Sequence, residues 1–263
     1  MDLSAFPPIA ALLDGAHAVL MGLADLLEPL VGVSSAAAAV VLVTLLLRAA
    51  LIPVGVAQAK AERTRARLAP RLAALQRKHQ KDPGLLQHET MSLYRSEGTT
   101  PLAGCVPMLI QAPVVGIIYA LFVLPAIAGH PNDLLTHTLF GVPLGSSLAG
   151  SVASAAVTPD VLLVFGVVIV MIAAIGEVTR RVFRPATTNS PTIGEGPGAG
   201  TSGSPLENPA ALRLLGLLQF ITAAIAVFVP LAAGLYLLVT VAWTLAQRML
   251  LRRVYPWPAP SSA

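Results

Sequence analysis

Five long apolar runs, separated by polar segments, constrain this chain more than any other feature. They cover residues 34–56, 101–125, 159–181, 210–229 and 231–250. A bilayer core about 30 Å thick takes roughly 20 apolar residues of helix, so each run is long enough to cross it. Pro230 and Gly234 mark a tight turn between the last two. The chain is 55% hydrophobic and 11% charged, whereas water-soluble domains average about 25% charged. Lipid, not water, is therefore the expected solvent for much of its surface. The expected fold class is an all-α integral membrane protein with five transmembrane helices.

Charge sets the direction. Lys and Arg concentrate in cytoplasmic loops, and an odd number of spans puts the termini on opposite sides. With the N-terminus outside, the outer segments are 1–33, 126–158 and the turn near Pro230, and they contain no Lys or Arg. Apart from Arg48, every basic residue falls in 57–101, around 180–213, or from Arg248 onward. Asp2, Asp14, Asp25, Glu28, Asp133 and Asp160 lie in or beside the outer segments. Span count and charge thus agree on N-outside, C-inside.

The connecting segments differ in kind. Met1 to Ser4 lack the positive start of a signal peptide. Ile9, Leu12, Leu13, Ala16, Leu20, Leu23 and Leu27 recur at helical spacing, with Asp14 and Asp25 off that face. This pattern predicts an amphipathic helix lying in the membrane interface within 1–33. Residues 57–100 form the basic segment. Leu68, Leu72 and Leu75 share a stripe, Lys81-Asp82-Pro83-Gly84 reads as a turn, and Leu85 to Glu97 resumes a helix that Gly98 ends. A cytoplasmic helical hairpin is expected, with Arg63, Arg67, Arg71, Arg77 and Lys78 as its contact residues. The segment 182–209, with PATTNSPTIGEGPGAGTSGSPLENP at 185–209, has too few apolar residues to pack and predicts a disordered cytoplasmic linker. The tail 251–263 is short and Pro-rich.

Arg48 stands apart, fourteen residues into the first span. An arginine at mid-helix costs roughly 2.5–3.5 kcal/mol on insertion scales. Snorkelling to the nearer interface would need a reach of about 12 Å, eight residues at 1.5 Å each, which is longer than the side chain. Arg48 is thus expected to face a wet cavity between helices. Thr44 lies one turn away on the same face, and Gln111 sits mid-span in the second run. Gln219, Thr222, Thr240 and Gln247 add polar groups in the last two spans. Each alone reads as an interhelical hydrogen bond; beside an arginine they predict a polar interior. No Asp or Glu lies mid-membrane to neutralise Arg48, and Glu177 is near the cytoplasmic end of its span. The positive charge is therefore expected to meet something negative or polar that comes and goes.

Other chemistries lack their residues. The single Cys105 lies in an apolar run, and His130 and His137 have only Asp133 for company in the outer loop, which reads as solvated residues rather than a metal site. No glycine-rich loop ends in Gly-Lys-Ser/Thr. No metal, cofactor, ATP use or enzymatic activity is expected.

Residues 43–53, VTLLLRAALIP, resemble the first core helix of the YidC family of membrane protein insertases, which carries a lone arginine followed by a proline, here Arg48 and Pro53. The similarity continues through QHETMSLYRSEGTTPLAGCVPMLIQAPVVGIIYALF at 87–122, most specifically PLAGCVPMLIQAP at 101–113, which includes Gln111. It covers residues 34–125 well and the later spans in order and spacing. The fifth span departs from the family. Ala232-Ala233-Gly234-Leu235 stands where Pro-Ala-Gly-Leu is usual, with Leu238, Val239 and Trp243 where Tyr-Trp and an Asn would fall. Fourteen Arg to three Lys, with abundant Ala, Leu and Val, fit an actinobacterial paralogue.

The resemblance implies five helices enclosing a hydrophilic groove open to cytoplasm and lipid, with the arginine inside it; together with the polar residues noted above, Arg48, Gln111, Thr44, Gln219 and Thr240 are the expected client-binding residues. It implies insertion and folding of integral membrane proteins without ATP hydrolysis. Implied partners are nascent membrane proteins, the ribosome, a targeting factor, the general secretion translocon and anionic lipids, with no direct nucleic-acid contact. A small-solute transporter or channel using the same cavity is the alternative; paired acids or two repeated halves would mark it, and neither is visible.

Overall fold

The computed structural model describes residues 7–80, 82–98, 106–127, 129–182 and 220–254, without the side chains of 62, 65, 66 and 106–114. The expected linker and tail, and Gln219, lie outside the described residues. The described residues are mostly helical, in keeping with an all-α membrane protein. The helices are α1 (Pro7–Val31), α2 (Ser35–Ala50), α3 (Ile52–Lys78), α4 (Pro83–Ser96), α5 (Val106–Val123), α6 (Leu148–Ala153), α7 (Pro159–Val182), α8 (Ile221–Phe228) and α9 (Leu231–Val254). Among the described residues, three segments are long and apolar enough to cross a membrane: Pro7–Ala50, which comprises α1, a short turn and α2, then α7 and α9. Helix α5 has 18 residues, and α8 shows only the last part of the fourth apolar run.

Helix α1 ends at a 3-10 turn, Gly32–Ser34, in which Gly32 takes φ +61°, a conformation that favours glycine. Helices α1 and α2 then pack extensively together. Three faces coexist on α1. Leu13, Leu20 and Ala24 are buried; Leu12, Val19, Leu26 and Leu30 form an exposed apolar edge; Asp14, Asp25 and Glu28 are exposed on another side. Such a helix has separate surfaces for a protein core, for lipid and for water.

Helix α2 lies between α1 and α9, α9 packs on α7, and α7 on α8. The core of this bundle is strongly uneven. Ala36, Ala37, Ala39 and Val40 of α2 are buried, as are Leu231 through Tyr236 of α9 and Val161, Val164, Phe165, Val168 and Ile172 of α7. The small residues let the backbones approach closely, the usual means of helix association in lipid. Farther along α2 and α9, from Leu45 and Leu237 on, no described residue is fully buried.

The buried end carries a folded cap, although residues 126–158 read as a solvated loop in the sequence. Two antiparallel ladders, β1–β2 (Ala126–Ile127 with His130–Pro131) and β3–β4 (Thr138–Leu139 with Val142–Pro143), precede α6. Leu134, Val142 and Leu144 are buried in the common core. The Asn132 side chain, also buried, donates to the carbonyls of Leu121 (2.7 Å) and Leu124 (2.9 Å) at the end of α5. At the start of α9, Leu231 N donates to Ser146 O (2.8 Å) and Ala232 N to Leu144 O (3.0 Å). Helix ends leave such groups without partners, and burying them unpaired is costly. The cap supplies partners at both helix ends. Short ladders and polar turns give little hydropathy signal, which is why the sequence did not distinguish this segment from a loop.

The first apolar run also differs from a straight span over 34–56. Its helix breaks at Leu51, whose φ and ψ of −87° and 4° separate α2 from α3. Pro53 explains this, because it lacks the N–H that would continue the ladder and its ring crowds the preceding turn. Helix α3 continues into the expected hairpin. Asp82 caps α4 by accepting from Leu85 N at 3.0 Å, and Pro83 occupies the first turn. Arg67 and Arg71 both reach Glu97, at 2.5 and 2.8 Å, tying the two arms together.

Candidate cavity at Arg48

Beyond the buried half of the bundle, α2, α3, α5 and α9 diverge around a cavity of about 330 Å³. Arg48, Gln58, Thr240 and Gln247 supply its polar lining, beside aliphatic residues from α3 and α5 and Tyr236 from α9. The break at Leu51 sets this geometry: α3 leaves the line of α2 one residue after Leu51, so Arg48 and Gln58 approach the cavity from different helices.

Arg48 Nη2 donates to Thr240 Oγ1 at 3.2 Å, bridging α2 and α9. Its Nε is buried and has no acceptor among the described residues. No ion pair to Arg48 forms among them either. Glu177 is held by Arg180 and Arg181 of its own helix, at 2.7 and 2.6 Å. An unneutralised guanidinium in low-polarity surroundings attracts acceptors strongly, because the usual screening by water is reduced.

The second polar feature lies farther along α9. The Trp243 indole N–H donates to Gln247 Oε1 at 3.0 Å. Gln247 Nε2 is buried without an acceptor among the described residues, and it packs onto Gly55 of α3. A methyl group added at Gly55 would stand 1.9 Å from Nε2. Glycine is thus what lets the Gln247 amide close on α3.

Of the five residues expected in the groove, the structure brings Arg48 and Thr240 together. Thr44 is placed differently: it is 2% exposed, and its hydroxyl donates to Val40 O of its own helix at 2.6 Å. The carbonyl four residues back is always within reach of a helical threonine, and Thr44 is absent from the cavity lining. The backbone of Gln111 lies in α5, but its side chain is outside the description, as is all of Gln219. Sequence reasoning passed over Gln58, Tyr236 and the Trp243–Gln247–Gly55 contact. Gln247 had been noted as polar, yet nothing in spacing alone links it to residue 55.

In the hairpin, Arg77 and Lys78 are exposed near the turn, whereas Arg67 and Arg71 are engaged by Glu97. A cleft of about 440 Å³ between α3 and α4 is lined by Arg71, Lys78 and Glu89 among others. His130 is exposed and His137 half-buried, and no cluster of metal-binding side chains occurs among the described residues.

Comparison with known proteins converges on one family. The family model described as 60Kd inner membrane protein matches residues 26–257. The chain is similar to the membrane protein insertase YidC of Streptomyces avermitilis, 29% identical over 236 residues that cover 83% of this chain and 51% of that protein. It is 38% identical over 112 residues to YidC of Oceanobacillus iheyensis, covering 41% of this chain and 42% of the relative. It is 36% identical over 96 residues to the insertase MisCA of Bacillus subtilis, covering 35% and 37%. The matched stretches thus span about half or less of the length of these curated relatives.

Proposed function

The chain belongs to the 60Kd inner membrane protein family, and from that premise we propose that it inserts integral membrane proteins into a bacterial plasma membrane and assists their folding. The observation that carries this reading is the Arg48 cavity, which offers a cation and hydrogen-bond donors with no anion paired to them among the described residues.

In this account five spans cross the bilayer, with the N-terminus and the 126–158 cap outside and the hairpin and C-terminus inside. The cavity forms a groove open to cytoplasm and lipid, with Gln111 and Gln219 completing its wall. A client's acidic or polar tail is drawn toward Arg48, and the wet half-channel shortens the apolar distance it must cross. The client's hydrophobic segment then partitions sideways into lipid, which supplies about 0.8 kcal/mol per buried CH₂. For an acidic tail moving outward, a potential negative inside adds roughly 2.3 kcal/mol per charge per 100 mV. No bond is made or broken and no nucleotide is consumed. Arg63, Arg67, Arg71, Arg77 and Lys78 lean on anionic head groups, worth about 1 kcal/mol per basic residue near the surface, and the hairpin receives the ribosome, targeting factor or secretion translocon.

The test is insertion of a client with an acidic outer tail into liposomes holding the purified protein. Arg48→Ala is expected to slow insertion markedly and Arg48→Lys to retain much of it. Solute flux through the liposomes without client insertion would overturn the reading in favour of a transporter.

A further inference from the structure

Arg48 is the charged donor of the cavity, but its Nε is not the only buried donor there without an acceptor among the described residues. Gln247 Nε2 shares that state, and its orientation is not arbitrary. An indole N–H can donate but not accept, so the 3.0 Å bond from Trp243 requires the carbonyl end of the Gln247 amide to face the ring. The NH₂ end must then face away from it, against Gly55 and into the cavity lining. Two polar residues of α9 therefore serve one cavity. Thr240, which holds Arg48, and Gln247 are seven positions apart on the same helix face, about 10.5 Å along the axis. That separation matches roughly three residues of extended chain.

We propose that Gln247 is a second recognition residue of this cavity, donating its amide N–H to a main-chain carbonyl of an extended segment of the client while Arg48 takes acidic side chains. Trp243 is its positioning residue. The proposal rests on the insertase reading and deepens it. A main-chain carbonyl is the same acceptor in every peptide segment, so an amide that donates to it does not read side-chain charge. Gln247 therefore contributes equally to clients of any tail sequence, and Arg48 supplies the discrimination. Gly55 makes the arrangement possible, because any side chain there would displace the amide.

The experiment measures binding of two fluorescein-labelled extended peptides to the full chain in lipid nanodiscs by anisotropy. One peptide is a neutral Gly/Ser sequence, and the other is the same sequence with Asp substitutions. Gln247→Leu is expected to weaken both by the same factor, roughly three- to tenfold, the range of one neutral hydrogen bond; Arg48→Ala is expected to weaken only the Asp-containing peptide. Trp243→Phe should weaken both in the native background and add nothing in a Gln247→Leu background, a coupling that loss of ring packing alone would not produce. Gln247→Met serves if the leucine variant fails to fold. Unchanged affinity in the Gln247 variants, or loss confined to the acidic peptide, overturns the proposal. Peptide binding with this pattern but no client insertion would sustain the proposal while removing the insertase reading.

Discussion

Helices α2 and α9 each change character along their length, and the two halves they create have opposite designs. In the capped half, Ala36, Val40, Leu231 and Ala232 are completely buried, every helix end noted has a partner in the 126–158 segment, and small residues draw the backbones together. In the other half the same two helices hold Arg48, Thr240 and Gln247 around a cavity, and Arg48 Nε and Gln247 Nε2 are buried without acceptors among the described residues. A uniformly packed bundle would be a better structural element and a worse host for a passing polar segment. The capped half supplies the stability that allows the other half to remain incompletely satisfied, since unpaired buried donors cost roughly 1–3 kcal/mol each.

Substitutions can break this contrast from either side. The largest effect on stability is expected from Leu144→Ala, which empties a fully buried site in the cap. A loss of about 2–5 kcal/mol follows from burial and cavity terms, read as a lower Tm in detergent. Each folded molecule should still bind client in the cavity. Asn132→Ala removes the two side-chain bonds that cap α5, and about 1–3 kcal/mol is expected by the same measurement.

In the polar half, Thr240→Val removes the acceptor of Arg48. It should lower stability by about 1.5 kcal/mol, the low end for a hydrogen bond to a charged group, because the bond is long at 3.2 Å and only part-buried. The smallest effect is expected from Glu97→Gln in the hairpin. Its two arginine partners are about two-thirds exposed, at 63% and 66%, so the pairs are screened and worth about 0–1 kcal/mol together. If Thr240→Val destabilised the protein as strongly as Leu144→Ala, the two halves would not differ as described.

The same contrast explains what the sequence could reveal. The apolar runs, the isolated Arg48 and the turn at Lys81–Gly84 are local signals, and they carried the helical membrane class and the expectations of a polar interior and a hairpin. The cap was hidden because Asn132, Leu144 and Ser146 act on helix ends through bonds to residues distant in sequence or through backbone carbonyls, which leave no periodicity. Thr44 shows a different limit. Its position on the Arg48 face was legible, but the competition between a cavity and its own helix carbonyl was not. The closing of Gln247 on Gly55 joins positions 192 residues apart in number, beyond the reach of any spacing rule.

The central claim is that the charge at position 48 acts on the client's tail, and one comparison tests it most directly. A series of clients differing only in the number of acidic residues in the outer tail would be inserted into liposomes carrying either the native protein or Arg48→Glu. The native rate should rise as acidic residues are added, and Arg48→Glu should abolish or reverse that trend while leaving Tm close to native. Normal insertion of the most acidic client by a folded Arg48→Glu protein would contradict the account.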